Sequence, residues 1–149
     1  FIDTIHNSTN AHKTVSVVMA TFNGALFLDK QIHSILAQSR MPVSIIICDD
    51  GSTDDTVAIL KKFNNQYPLI KYFVNEERLG VIGNFKKAVS LANDADFIAL
   101  SDQDDIWFPT KFEKLYEKLI SIDDGQAPAM VYSALIVIDS NEKILNPAF

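Results

Sequence analysis

The chain has 149 residues, 48% of them hydrophobic, with a formal net charge of −6 and a single cysteine. That length makes about one domain with enough chain to bury a core, and the negative charge excludes a general surface for nucleic acid or anionic lipid, whose phosphates would be repelled unless a metal or local basic group intervened. Cys48 lies inside an apolar run, which gives no disulfide framework and fits a reducing, cytoplasmic compartment; no apolar run approaches the roughly 18 residues of a membrane span, and the start carries no signal-peptide pattern.

Residues 1–13 are polar, lack periodicity and contain Asn7-Ser8-Thr9-Asn10, so they read as a linker or flexible arm. The first residue is Phe1 rather than Met, as expected of a piece cut from a longer chain. Residues 14–149 then read as one structured portion. A short apolar strand over residues 15–20 ends in Thr21-Phe22-Asn23-Gly24, and a helix follows with Leu28, Ile32, Ile35 and Leu36 on one face. A second strand over residues 43–48 ends in Asp49-Asp50-Gly51-Ser52-Thr53, where Ser52 or Thr53 is expected to cap a helix buried through Val57, Leu60 and Phe63. Pro68 closes that helix, residues 70–74 make a third strand, and Val81, Phe85, Ala88, Val89 and Ala92 mark the next helical stripe.

The run Phe97-Ile98-Ala99-Leu100 predicts a fourth, buried strand that delivers Asp102, Asp104 and Asp105 into the turn beyond it. Pro109 opens a helical pattern carried by Phe112, Leu115 and Leu119, which Asp123-Asp124-Gly125 ends. Residues 130–138, rich in β-branched side chains, predict a long fifth strand, with Ser140-Asn141 as a turn into a last apolar piece. Alternating strands and helices imply an α/β fold with a mostly parallel sheet and helices on both faces.

In such a sheet the carboxyl ends of the strands share one edge, and ligands bind in the crevice there. The clusters at Thr21 to Gly24, at Asp49 to Ser52 and at Asp102 to Asp105 are all strand-terminal, so they are expected to converge. Phe22 offers a plane on which a base can stack, and Asp50 a carboxylate that accepts from a base N–H or a ribose hydroxyl. Carboxylates crowded at Asp102 and Asp104 call for a divalent cation, Mn²⁺ or Mg²⁺, whose remaining positions a diphosphate and water would fill. Arg78, Lys86 and Lys87 flank the turn after the third strand, within reach of phosphate. The reaction class this suits is departure of a diphosphate, with the cation stabilising the growing charge. Taken singly the motifs have plainer uses: Asp49 to Ser52 as a turn and helix cap, Phe22 as core, Arg78 as a surface charge.

Read together, Val-Ser-Val-Val-Met-Ala-Thr-Phe-Asn-Gly from Val15, Ile-Cys-Asp-Asp-Gly-Ser-Thr-Asp from Ile47, the stretch from Asn75 through Gly80 to Asn84, and Ser-Asp-Gln-Asp-Asp-Ile-Trp-Phe-Pro from Ser101 resemble the family 2 glycosyltransferases of the GT-A fold. The resemblance implies that residues 14–149 are the nucleotide-sugar-binding part of such a domain, truncated before the acceptor subdomain. It implies nucleotide binding by Thr21, Phe22, Asn23, Asp50, Arg78 and Asp102, with Asp102 near the ribose or sugar and Asp104 as the metal ligand of a DxD motif. The implied activity is inverting transfer from a UDP- or dTDP-linked sugar to a saccharide or lipid-linked acceptor, in bacterial surface polysaccharide synthesis. The form Ser-Asp-Gln-Asp-Asp-Ile-Trp is similar to that of rhamnosyltransferase-like members.

One departure stands out. The family's general base is an aspartate often preceded by Glu and well beyond the DxD, and no Glu-Asp pair follows Asp105. The base is therefore expected beyond Phe149, as is any segment that would hold the protein at the inner face of the cell membrane. Two other classes fit part of the pattern: a noncatalytic module that binds nucleotide sugars, and a receiver-type phosphoacceptor domain with its acids around Mg²⁺. A dinucleotide-binding oxidoreductase does not fit, since the first strand-to-helix turn carries Gly24 alone rather than a Gly-rich fingerprint.

Overall fold

The computed structural model describes residues 13–139 and 141–146. Of the expected arm, residues 1–12 lie outside the described residues, as does Ser140 of the expected turn. The chain divides into two compact units, one made of the residues up to His33 with Met41–Ile106, the other of Ser34–Arg40 with the residues from Trp107 onward.

The first unit runs β1 (Val15–Thr21), α1 (Ala25–Leu36, whose last turn belongs to the second unit), β2 (Ser44–Asp49), α2 (Thr56–Gln66), β3 (Ile70–Val74), α3 (Gly80–Leu91) and β4 (Phe97–Ser101). The four strands form one parallel sheet in the order β3-β2-β1-β4. The inner strands β1 and β2 are buried almost throughout, as continuous apolar runs in a sheet covered on both sides must be. From β1 to β3 the chain steps outward in one direction; it then crosses back over two strands to place β4 on the other side of β1. Right-handed crossovers put α1 and α2 on one face and α3 on the other.

The side chains agree with that layering. Val18, Ile46 and Cys48 of the inner strands pack with Ala88 and Ala92 and with the partly buried Phe85 and Leu91. The alternate residues Val17, Met19, Ile45 and Ile47 are fully buried, as are Leu28, Ile32 and Leu60 of the opposite helices. At the amino end of the strands the in-register Ser16 and Ser44 satisfy each other, their buried hydroxyls 2.7 Å apart.

Three expectations are corrected in this unit. The strand β4 is an edge strand, so Ile98 and Leu100 are exposed rather than buried. The inward face of α3 is Asn84 and Ala88, while Val81 and Val89 face outward, because polar groups at the strand ends need the Asn84 amide. Neither Ser52 nor Thr53 caps α2, which starts at Thr56; Asp54 accepts from the Thr56 amide at 3.0 Å instead.

In the second unit, α4 (Lys111–Ile122) buries Phe112, whose ring stacks on the buried Trp107 with centroids 6.2 Å apart. Gln38 holds this unit's backbone together, donating to the carbonyls of Ser34 (3.0 Å) and Phe108 (2.9 Å) and accepting from the Phe112 amide (2.9 Å). The long fifth strand does not form. Only β5 (Val137–Ile138) is a strand, paired antiparallel with β6 (Ile144–Asn146), while Met130 and Tyr132 are among the most exposed apolar side chains described. A β-rich composition makes a strand only where a neighbour takes the backbone hydrogen bonds, and residues 130–136 pair with no strand among the described residues.

Candidate active site

The candidate site lies entirely in the first unit, at the carboxyl edge of the sheet. The loop after β1 and the loop after β2 are sewn together by their own polar side chains. Asp49, fully buried, accepts from the hydroxyls of Thr21 (2.9 Å) and Ser52 (2.5 Å) and from the Ser52 amide (2.8 Å). The Ser52 hydroxyl oxygen in turn accepts from the Asn23 backbone amide at 2.8 Å, and the Asn23 side-chain Oδ1 from the Thr53 amide at 2.8 Å. Asn23 sits at φ +48, a left-handed conformation that Asn tolerates. Asp54 adds a bond from the Ala25 amide, and the Thr56 hydroxyl one from the Gly24 amide. Hydrogen bonds from Thr56 hold the Asp54 carboxyl below its ordinary pKa.

Asp50, 4% exposed, reaches the loop between β3 and α3. Its Oδ1 accepts from the Leu79 amide (2.7 Å) and the Asn75 side chain (2.9 Å), its Oδ2 from the Gly80 amide (2.8 Å). A carboxylate from another strand therefore caps the amino end of α3, whose own Leu79 has no side-chain oxygen to do so. Burial by itself would push the Asp50 pKa up; the hydrogen bonds from Leu79, Asn75 and Gly80 and the nearby Arg78 outweigh it and bring the pKa down. Asn75 also donates to Asn84 and accepts from the Lys87 ammonium at 2.8 Å, and Asn84 donates to the Cys48 carbonyl at 2.7 Å. The network Asp50-Asn75-Asn84-Lys87 thus joins β2 to α3 with its polar groups satisfied.

Arg78 stands between the two loops. Its guanidinium lies over the Phe22 ring, 3.7 Å from the centroid, and its Nε is 3.9 Å from Asp50 Oδ2. Phe22 is half-buried, so one of its faces is already covered by a cation.

Beyond β4 the fully buried Gln31 donates to the Ser101 hydroxyl at 2.6 Å, and that hydroxyl donates to the Asp102 carbonyl at 3.1 Å. Asp102 and Asp104 are exposed, and among the described residues neither carboxylate has a hydrogen-bond or ion-pair partner. Gln103 between them turns back to Phe22, accepting from its amide at 3.0 Å and donating to its carbonyl at 3.2 Å.

Of the residues expected at the site, the fold brings Phe22, Asp50 and Arg78 into one cluster, and Gln103 ties Phe22 to the loop that carries Asp102 and Asp104. Thr21 is 2% exposed and, like the Asn23 amide, helps build the loop. Lys87 turns into the Asn75 network, while Lys86 is exposed. Gln103, Asp54, Asn75 and Asn84 are positioning groups that spacing did not reveal, because their partners lie up to 81 residues away.

Among the described residues no three His, Cys, Asp or Glu side chains gather into a metal site. A resident ion held by protein ligands alone does not fit; a cation shared with a diphosphate does, since Mg²⁺ commonly takes one or two carboxylates and fills its octahedron with phosphate oxygens and water.

Polar loops converging where the strand order reverses, between β1 and β4, define an open α/β ligand-binding domain. The chain belongs to the family 2 glycosyltransferases: residues 16–143 match the model of Glycosyl transferase family 2. It is 39% identical over 107 residues to the dTDP-rhamnosyl transferase RfbG of Shigella flexneri, covering 68% of this chain and 37% of that protein. Among solved structures it is similar to S. aureus TarS residues 1–349 in complex with UDP, with a TM-score of 0.65, 20% identity and coverage of 84% of this chain and 41% of that one. It is also similar to the mannosyltransferase PcManGT of Pyrobaculum calidifontis in complex with GDP-Man and Mn²⁺, with a TM-score of 0.57 at 23% identity, covering 64% and 28% of the two chains. At these identities the structural likeness speaks for the GT-A fold alone. The chain spans about two fifths of the length of RfbG and of the TarS chain. The order β3-β2-β1-β4 also differs from the 2-1-3-4-5 order of receiver domains, which removes that reading.

Proposed function

We propose that this chain is the donor-binding portion of an enzyme that transfers a sugar, with inversion, from a UDP- or dTDP-linked donor to a saccharide or lipid-linked acceptor in bacterial surface polysaccharide synthesis. The observation that carries the reading is the juxtaposition at one sheet edge of an aromatic with its arginine, a hydrogen-bonded aspartate and two unpartnered carboxylates. The base stacks on Phe22 by displacing the Arg78 guanidinium from the ring face it covers. Three of the roughly four acceptor positions of Asp50 are filled, and the fourth, toward Arg78, takes a base N–H.

Asp102 faces the ribose or sugar, and Asp104 holds a Mn²⁺ or Mg²⁺ ion together with the diphosphate. When bound, that ion stabilises the negative charge that collects on the departing diphosphate. Thr21 and Asn23 contribute by shaping the loop that carries Phe22. This reading assigns none of the 149 residues to deprotonating the acceptor. The net charge of −6 gives nucleic acid no part in this reading. No helix among the described residues is long and apolar enough to cross a membrane. The proposed place of work is the cytoplasm, including the inner face of the cell membrane.

Thermal unfolding with UDP, dTDP or GDP, each with and without Mn²⁺ or Mg²⁺, tests this, because a ligand that binds the native state raises its apparent stability. The expected result is metal-dependent stabilisation by UDP or dTDP and a smaller effect of GDP. Absence of stabilisation by every diphosphate at millimolar concentration counts against the donor site.

A further inference from the structure

We propose that Gln103 is a positioning residue that locks the loop bearing Phe22 to the loop bearing Asp102 and Asp104, so that the two ends of a nucleoside diphosphate meet one pre-set site. This rests on the donor-site reading and deepens it. The parallel ladder between β1 and β4 stops at Met19 and Ser101. Two residues further along, the Gln103 side chain takes over from the backbone: Oε1 accepts from Phe22 N and Nε2 donates to Phe22 O. One planar amide thereby satisfies both backbone groups of the aromatic residue, as a strand neighbour would.

The chemistry restricts what can stand there. Glutamate would lose the donor and set a third negative charge between two carboxylates, asparagine is one methylene short, and alanine makes neither bond. A second observation points the same way. A Cβ on Gly24 would overlap the Gln103 amide, so the glycine two residues after Phe22 keeps open the seat that the amide fills. Gln103 lies between the carboxylates that would meet the cation, and its amide grips the residue that would meet the base. Loosening it lets the two loops drift independently, which penalises a ligand that touches both more than one that touches either.

The test compares Gln103→Ala, Gly24→Ala and the double variant with the unaltered protein. The readouts are Phe22 amide exchange by NMR, thermal midpoint, and affinity for UDP or dTDP with Mn²⁺ and for uridine or thymidine alone. Gln103→Ala is expected to speed exchange at the Phe22 amide and to weaken the diphosphate about tenfold, while the nucleoside changes less than about threefold. Gly24→Ala should reproduce this, and the double variant should bind no worse than Gln103→Ala, since the clash disappears with the amide. Unchanged diphosphate affinity in Gln103→Ala overturns the proposal, as do additive losses in the double variant. Equal losses for nucleoside and diphosphate with a lowered midpoint overturn it in favour of a purely structural bond. If the unaltered protein binds no diphosphate, the donor-site reading falls and this role falls with it; if it binds and Gln103→Ala matches it, the positioning role alone is wrong.

Discussion

The turns after β2 and after β4 both deliver aspartates to the same edge of the sheet, yet their carboxylates live in opposite surroundings. Asp49 and Asp50 are buried and accept three hydrogen bonds each from their own chain. Asp102 and Asp104 are exposed, and among the described residues nothing in the chain answers their charge. A carboxylate that the fold has satisfied builds and orients a site; one left to solvent is available to a cation or a hydroxyl. Composition treats the two pairs alike, and the contrast follows from what lies across the sheet edge from each.

If that contrast is right, substitutions in the two turns should separate stability from binding. The largest stability effect is expected for Asp50→Ala, which orphans the Leu79 and Gly80 amides and leaves one N–H of the Asn75 side chain without its acceptor; a loss of about 3 kcal/mol in urea unfolding is the expected outcome. The same variant should weaken nucleoside binding with or without metal. A loss under about 1 kcal/mol would show that water replaces the carboxylate at little cost and would erase the distinction.

Asp104→Asn should do the reverse. Unfolding free energy should stay within about 0.5 kcal/mol, as for a surface substitution, while Mn²⁺-dependent UDP or dTDP affinity falls about tenfold or more, the loss of one charge-assisted ligand. Calorimetric titration with and without Mn²⁺ reads this directly, and unchanged affinity removes Asp104 from the metal role.

Acid offers a finer cut. The folded state holds Asp50 below its ordinary pKa, so its stabilisation is complete above the unfolded value, about 4, and is lost as pH falls through the folded one. Stability should therefore drop below about pH 4, and Asp50→Asn should flatten that limb in pH-dependent urea unfolding. A limb as steep in the variant would assign the acid sensitivity to other groups, Asp54 and Asp96 among them.

A small stability effect, above that of Asp104→Asn, belongs to Arg78→Ala, which removes an exposed cation over Phe22 worth about 0.5–1 kcal/mol. Since the guanidinium occupies the stacking face, fluorescence-detected nucleoside binding should change more than the unfolding midpoint does.

The strands β1 to β4 were legible because apolar runs punctuated by Gly, Asp and Pro carry their own signal, and the family pattern singled out Phe22, Asp50, Asp102 and Asp104 as candidates. The misread elements share a cause. Residues 130–136 have strand composition without a described strand neighbour, β4 is apolar but lies at an edge, and α3 turns Asn84 inward against its apolar stripe because carbonyls at the strand ends need a donor. In each case the deciding partner is distant in sequence, so no local period encodes it.

By itself the sequence determined the alternation of strands and helices, the three polar turns and the residue types that suit a nucleoside diphosphate. Those depend on near-neighbour patterning, which a strand or a helix turn reads directly. Only the tertiary structure decided that Asp50 caps α3, that Arg78 lies on Phe22 and that Gln103 binds the backbone of Phe22. Those contacts span 30, 56 and 81 positions, and they exist because parallel strands bring their carboxyl ends to one edge, where a carboxylate, a guanidinium or an amide pairs with whatever group the neighbouring loop leaves unsatisfied.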